Sequence, residues 1–231
     1  HCAPEGYNIN RDCGSTHLGD LQKAVVEHGA DLGIGHDGDA DRCLAVDASG
    51  ALVDGDQLMA IIALAMRDAG RLAHDTVVAT VMANLGFKQA MQRESISVVE
   101  TAVGDRYVLE AMLASGYVLG GEQSGHVVMT EHATTGDGLL TALQVMNRMV
   151  ATGASLAELA GVMRRLPQVL VNVSGVDKNA LETCGAVSDA VSAAQEQLSD
   201  SGRVLLRKSG TEPLVRVMVE APTQARAAAV A

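Results

Sequence analysis

The sequence predicts an α/β protein with a largely parallel sheet, followed by a small α+β unit. Three observations carry this reading. Between residues 76 and 129, β-branched runs alternate with helical patterns, as in strands joined by crossover helices. Apolar residues form 48% of the chain and recur throughout, which excludes general disorder. After Pro167 a new run of strand, helix, strand, strand and helix reads as a separate, smaller unit. At roughly 150 residues per domain, a chain of 231 residues suits one or two domains, or three small ones.

The elements follow in order. Ser15 or Thr16 is placed to cap a helix with an apolar face of Leu18, Leu21, Val25 and Val26, and Gly29 stands just past its end. Leu32 to Ile34 is a short strand leading into an acidic loop, and Cys43 to Val46 is the next. Asp56 is placed to cap a helix that is apolar nearly all round through Met66, hence buried. Thr76 to Val81 is a strand, Asn84 to Gln92 a helix, Ser95 to Val99 a strand and Arg106 to Ala114 a helix. Tyr117 to Leu119 and Val127 to Met129 are strands around a Gly-rich loop, and Leu139, Leu143, Met146 and Val150 mark a helical face. Ser155 and Glu158 form a capping box that opens a helix stopping before Pro167. Gln168 to Ser174 is a strand, and a helix lies between Lys178 and Leu198. Arg203 to Arg207 and Leu214 to Glu220 are strands around a tight loop, and an Ala-rich segment then begins a helix.

Composition narrows the function. Seventeen basic and 28 acidic residues give a formal charge of −11, which argues against nucleic acid as the main partner but leaves room for a small anionic substrate. Aromatics make up 2% and Trp is absent, so a stacking platform for bases or sugars is not expected. The longest apolar run, Met59 to Met66, falls far short of the ~20 residues that span a bilayer, and nothing resembles a signal peptide. No membrane partner is therefore expected, and a cytoplasmic location is. Cys2, Cys13, Cys43 and Cys184 show no Cys-x-x-Cys pairing and are read as reduced. The first residue is His1, within a loop-like stretch, which points to an incomplete reading frame. Nothing in the sequence sets an oligomeric state.

Three loops carry chemistry. In the first, Asp37, Asp39 and Asp41 stand at alternate positions before Arg42, so their carboxylates can converge on one hard cation. Mg2+, which prefers few carboxylates plus a phosphate oxygen, suits the set. An EF-hand does not fit, because its sixth position would be Arg42 rather than Gly and its twelfth Ala48 rather than Glu. A solvated acidic turn is the alternative, and the flanking apolar strands favour the metal by holding the loop at a strand end. In the second loop, Gly120 to His126, glycines let the backbone approach a ligand. Glu122, Ser124 and His126 offer an acceptor, a mixed donor–acceptor and a titratable group, suited to sugar hydroxyls or proton transfer. A β-turn with incidental polar residues is the alternative. In the third, Arg207 to Pro213, the backbone beside Gly210, the hydroxyls of Ser209 and Thr211, and Arg207 can cradle a phosphate. The order is not that of a Walker A loop. An ordinary hairpin loop is the alternative, and the clustering of Arg207, Lys208 and Arg216 in an acidic chain favours an anion. Together the three loops fit phosphoryl transfer on a phosphorylated sugar, where catalysis is mainly positioning and charge neutralisation.

At these loops the sequence resembles the α-D-phosphohexomutases, and within them it looks most like the bacterial phosphoglucosamine mutase branch. Gln123 stands where phosphomannomutase/phosphoglucomutases typically have Met. The run Ser209-Gly210-Thr211-Glu212 and the stretches Asp12 to His17 and Val103 to Val108 also resemble that branch. The resemblance covers nearly the whole chain. It implies a phosphohexomutase-type α/β domain with a parallel-rich mixed sheet, then a small α+β, TATA-binding-protein-like C-terminal domain. In a family of four domains, residues 1–48 would end domain two, 49–165 would be domain three, and 166–231 would be domain four, clipped at its end.

The implied reaction is that of an isomerase, interconverting glucosamine 6-phosphate and glucosamine 1-phosphate through a bisphosphate with Mg2+, and feeding UDP-N-acetylglucosamine synthesis. Asp37, Asp39 and Asp41 would bind the metal, and Arg42 would sit beside the transferring phosphoryl group. Glu122 and Ser124 would hold sugar hydroxyls, with His126 handling a proton nearby. Arg207, Ser209, Gly210 and Thr211 would hold the non-reacting phosphate, with Arg216 adjacent. The family's phosphoserine, in a Ser-His-Asn setting in domain one, has no counterpart in this sequence, since Ser15-Thr16-His17 belongs to the domain-two motif. The 231-residue chain alone is therefore expected to show no mutase turnover. Three rival readings are a phosphomannomutase/phosphoglucomutase, a non-catalytic sugar-phosphate or metal-binding remnant, and a haloacid-dehalogenase-like phosphatase with Asp37 as nucleophile. Gly35-His36 and the three-loop match count against the last.

Overall fold

The computed structural model describes residues 3, 5–177, 181, 183–209 and 212–231. The chain forms two compact units, one of residues 1–83 and 87–164, the other of residues 84–86 and 165–231. The first unit opens with helix α1 (Gly19–His28) and strands β1 (Leu32–His36), β2 (Cys43–Asp47) and β3 (Leu52–Val53), an antiparallel sheet in the order β1-β2-β3. Helix α1 ends as predicted at Gly29, which takes the left-handed conformation and returns its N–H to the last turn. Its start differs. Gly14–Thr16 form a 3-10 turn, so neither Ser15 nor Thr16 caps α1, and Leu18 takes that place. Val25 is buried but Val26 is exposed, so the apolar stripe is narrower than the sequence suggested.

Helix α2 (Gly55–Asp68) is buried over most of its length, as its all-round apolar pattern requires. Its cap is Asp54, not Asp56. Asp54 accepts the N–H of Gln57, and the Gln57 side chain accepts the N–H of Asp54, while Asp56 is buried in the first turn. Leu58, Met59, Ile61 and Ile62 are fully buried, each contributing about 1.5–3 kcal/mol.

The second sheet of this unit holds β4 (Thr76–Thr80), β5 (Ser97–Thr101), β6 (Leu119–Gly121) and β7 (Val127–Met129), in the order β5-β4-β6-β7. Strand β4 runs parallel to β5 and β6, and β7 returns antiparallel, giving the predicted parallel-rich mixed sheet. Val77 and Ala79 join a core with α2, α3 (Leu85–Arg93) and α5 (Gly138–Thr152), while Val78 turns to Val108 and Met112 of α4 (Asp105–Ser115). Helices thus cover both faces, and β4 is buried at every position. Helix α5 splits its predicted face. Leu139, Leu143 and Val150 are exposed, whereas Met146 packs on the core with Leu140 and Met149, and Thr141, Ala142 and Val145 are buried. Helix α6 (Leu156–Ala160) opens with the predicted Ser155–Glu158 capping box.

The second unit is an antiparallel sheet of β8 (Gln168–Ser174), β9 (Arg203–Lys208) and β10 (Leu214–Glu220), in the order β8-β10-β9, with helices α7 (Gly185–Leu198) and α8 (Gln224–Val230). Leu198, Val219, Ala221 and Ala227 form its core. Among the described residues no helix is long and apolar enough to cross a membrane.

Candidate functional site

The acidic loop leaves β1 at His36 and enters β2 at Cys43, and the Gly-rich loop joins β6 to β7, so both lie in the first unit. Backbone pairs lace the two loops together. Arg42 and His126 form an isolated antiparallel bridge, and the N–H of Cys43 donates to Gly125 O at 3.0 Å. Gly125, at φ 93°, is the point of closest approach, since a Cβ there would lie 2.2 Å from the Cys43 carbonyl oxygen.

Asp37, Asp39 and Asp41 each bring a carboxylate oxygen within 4.8 Å of the others. Asp37 is largely buried and accepts the Arg42 N–H at 3.2 Å, whereas Asp39 is exposed. Asp41 Oδ1 is buried and has no hydrogen-bond partner among the described residues. Burial, then the neighbouring Asp37, push the Asp41 carboxyl above its usual range; Asp39 adds to this, and His126 opposes it. A divalent cation would satisfy the orphaned oxygen and relieve the repulsion, and a set of few hard carboxylates is the pattern Mg2+ takes. The residues present therefore fit that ion. The Arg42 Nε lies 3.6 Å from Asp37 and 3.7 Å from Asp41, in ion-pair contact without a hydrogen bond.

His126 is 4% exposed. Its Nε2 accepts the Gly136 N–H at 3.2 Å, which puts the proton of the neutral ring on Nδ1. Nδ1 is buried and has no partner among the described residues, and Nε2 stands 3.6 Å from Asp41 Oδ2. Glu122 Oε1 accepts the N–H of Gly104 at 3.1 Å, and the Ser124 hydroxyl is buried with no partner among the described residues. A cavity of about 230 Å3 lined by Asp105, His126, Thr134 and Thr135 borders the Gly-rich loop, and one of about 900 Å3 reaches His36, Asp37 and Gly38.

Four further residues shape this site, and sequence reasoning gave them no role. Gly136 admits the His126 ring, since a Cβ there would lie 2.5 Å from Nε2. Gly138 donates to Ala40 O at 2.9 Å, His36 Nδ1 lies 3.0 Å from Arg42 O, and Gly104 anchors Glu122. The two glycines of Thr134-Thr135-Gly136-Asp137-Gly138 were the available signal.

In the second unit, Arg207 and Arg216 are direct partners across β9 and β10. Burial first, and Arg216 second, hold the Arg207 guanidinium below its usual value. Two adjacent guanidiniums favour an anion. Arg216 pairs with Glu212 at 2.7 Å, while its Nε is buried and has no hydrogen-bond partner among the described residues. Ser209 is buried, and its hydroxyl accepts the Glu212 N–H at 3.2 Å. Gly210 and Thr211 lie outside the described residues.

The sequence matches the family model for phosphoglucomutase/phosphomannomutase, alpha/beta/alpha domain III, over residues 54–166, and that for the phosphoglucomutase/phosphomannomutase C-terminal domain over 146–231. The chain belongs to the phosphoglucomutase/phosphomannomutase family. Within that family it is 68% identical over 228 residues to the phosphoglucosamine mutase of Streptomyces griseus, covering 99% of this chain and 50% of that protein. It is 66% identical over 223 residues to the phosphoglucosamine mutase of Acidothermus cellulolyticus, covering 96% and 48%. The chain thus spans about half the length of the curated relatives it matches. Among solved structures, Aspergillus fumigatus N-acetylphosphoglucosamine mutase in complex with GlcNAc-6P and magnesium matches with a TM-score of 0.77 at 21% identity, over 96% of this chain and 52% of that one. A family protein from Burkholderia thailandensis matches with a TM-score of 0.71 at 19% identity, over 94% and 49%. At such identities the structures speak for the family fold alone, and they agree with an α/β domain followed by a small α+β one.

Proposed function

We propose that this chain carries the metal, sugar and phosphate loops of a phosphoglucosamine mutase, which interconverts glucosamine 6-phosphate and glucosamine 1-phosphate through a bisphosphate. The observation that carries the reading is the lacing of a cation-fitting carboxylate loop to a polar Gly-rich loop in one unit, by the Arg42–His126 bridge. The 68% identity to the Streptomyces griseus protein supports the choice of an amino sugar. Residues 1–48 are assigned to the end of the family's second domain, 49–165 to the third and 166–231 to the fourth; the models matched over 54–166 and 146–231 support the last two assignments.

Asp37, Asp39 and Asp41 hold Mg2+, which when bound draws negative charge from a transferring phosphoryl group. Arg42 adds a fixed positive charge to the same place, and its contacts to Asp37 and Asp41 keep it there. Glu122, one oxygen held by Gly104, accepts from a sugar hydroxyl with the other. The Ser124 hydroxyl, which lacks a partner among the described residues, joins it. His126 handles a proton at Nδ1, because Nε2 is engaged by Gly136. Arg207, Ser209, Gly210, Thr211 and Arg216 hold the non-reacting phosphate. A cytoplasmic location goes with free Cys13, Cys43 and Cys184.

The test replaces the matching half of the Streptomyces griseus protein with this chain and assays amino and neutral sugar phosphates. The chimera is expected to turn over glucosamine 6-phosphate and to prefer it about tenfold or more over glucose 6-phosphate, a difference of about 1.4 kcal/mol. A folded chimera that prefers the neutral sugar would sink the proposal and favour the hexose-phosphate reading.

A further inference from the structure

We infer that Gln123 is a positioning residue, which holds the Gly-rich loop in shape by bonding Asp54 and does not itself read the sugar. The inference rests on the reading of residues 120–126 as the sugar loop. Asp54 is 3% exposed and caps α2. Its Oδ1 accepts the Gln57 N–H at 3.1 Å, and its Oδ2 lies 3.3 Å from Gln123 Nε2. A carboxylate only accepts, so the Gln123 amide must present its NH2 to Asp54, which commits one of its two N–H donors and fixes the direction of the amide.

The backbone makes the same link. The N–H of Gly55 donates to Gln123 O at 3.1 Å, and within the loop Gly125 donates to Glu122 O at 3.0 Å and Glu122 to His126 O at 2.9 Å. Gly55 leaves no room for a side chain, since a Cβ would lie 2.4 Å from Glu122 O and 2.5 Å from Gly125 N. The buried start of α2 is thus the surface against which the loop is shaped. The residues it shapes are those that carry Glu122, Ser124 and His126. Backbone contact sets the loop's distance from α2, and the Gln123–Asp54 bond adds a side-chain tie at the same place.

A polarity swap tests this on the chain as it stands. Gln123→Glu sets two carboxylates against each other where donor and acceptor now meet. The double variant D54N/Q123E restores a pair of opposite polarity, because the amide at 54 keeps an oxygen for the helix cap and turns its NH2 to the carboxylate at 123. Hydrogen exchange is read at the amides of Glu122 and Gly125, with β4 as control, and glucosamine 6-phosphate binding with Mg2+ is read by calorimetry. Q123E is expected to speed exchange at the two loop amides about tenfold and to weaken binding by a similar factor, with β4 unchanged. D54N/Q123E is expected to bring both back to within about twofold of wild type.

Unchanged loop exchange in Q123E would overturn the inference. So would loss of protection across β4 as well, which marks a merely structural residue. A double variant that regains protection but not binding would show that Gln123 touches the sugar, and overturns it too. If the wild-type chain binds no glucosamine 6-phosphate, the sugar reading fails, and the exchange data alone decide whether Gln123 sets the loop through Asp54.

Discussion

At the scale of the residue, the acidic loop gathers like charges in a partly buried place. The Asp41 carboxyl is raised above its usual range by burial and by its acidic neighbours. Wherever that group is ionised in the folded chain it is held against its surroundings, a cost the unfolded chain does not carry. The sign is that of a raised acid: the cost is present above the folded pKa and disappears as pH falls through it. Removing the charge should thus stabilise the metal-free chain. Asp41→Asn is expected to raise its thermal midpoint by about 2–4 °C, as about 1 kcal/mol does for a chain of this size. The same variant is expected to lose the rise in midpoint that millimolar Mg2+ gives the wild type. Differential scanning calorimetry with and without Mg2+ checks both. A variant that melts lower without metal and keeps the full gain from Mg2+ would show that Asp41 is a structural acid, not a ligand.

At the scale of the element, local signals were legible and facing was not. Gly29, the Ser155–Glu158 box, β8 and β7 stand where the sequence put them, because each depends on neighbours within a few residues, whereas β6 begins at Leu119 and takes in two glycines that read as loop. The carboxylate cluster of the candidate site was legible for the same reason, since Asp37, Asp39 and Asp41 are close in sequence. What was missed at the site is non-local: the fit of Gly136 on His126, and of Gly55 on the Gly-rich loop, joins residues far apart in the chain. Asp54 and Asp56 are both plausible caps by type, and the reciprocal bonds of Asp54 with Gln57, three residues on, decide for Asp54, a local signal the sequence reading passed over. Helix α5 makes the point most clearly. Leu139, Leu143 and Val150 are exposed, while Ala142 and Val145 are buried in the core with Met146 packed beside them. Leu139→Gln and Leu143→Gln, on the exposed stripe, are therefore expected to change stability by no more than about 0.5 kcal/mol. Ala142→Leu, in the buried core, is expected to cost about 1–3 kcal/mol by overpacking. Urea unfolding of the three variants checks this, and a large loss from either exposed leucine would mean that α5 presents the other face to the core.

At the scale of the whole molecule, the division into two units does not follow the order of the chain. Asn84–Gly86, from the middle of the α/β pattern, belong to the C-terminal unit. The cause is a buried carboxylate. Glu220, fully buried at the end of β10, accepts from Asn84 Nδ2 at 3.0 Å, Leu85 N at 2.9 Å and Arg203 Nε at 2.7 Å. Asn84 also brackets Leu166, donating to its carbonyl at 3.0 Å and accepting its N–H at 2.9 Å. No sequence pattern announces this, because Asn84 read as the start of a helix and Glu220 as the end of a strand. A charge taken wholly out of water is tolerated only when paired and bonded, so removing one member should cost far more than the pair contributes. Glu220→Gln keeps the size and one acceptor but removes the buried charge that pairs with Arg203. It is expected to destabilise the second unit by about 3–5 kcal/mol, against near neutrality for a surface substitution. Hydrogen exchange in β8 and β10 under mild urea reads that unit directly. Arg216 stands in the same strand, four residues before Glu220, so the loosening should also weaken inorganic phosphate binding at the Arg207–Arg216 pair. If Glu220→Gln left exchange in β10 unchanged, the carboxylate would not be what binds Asn84–Gly86 to this unit, and the division would have to rest on the backbone alone.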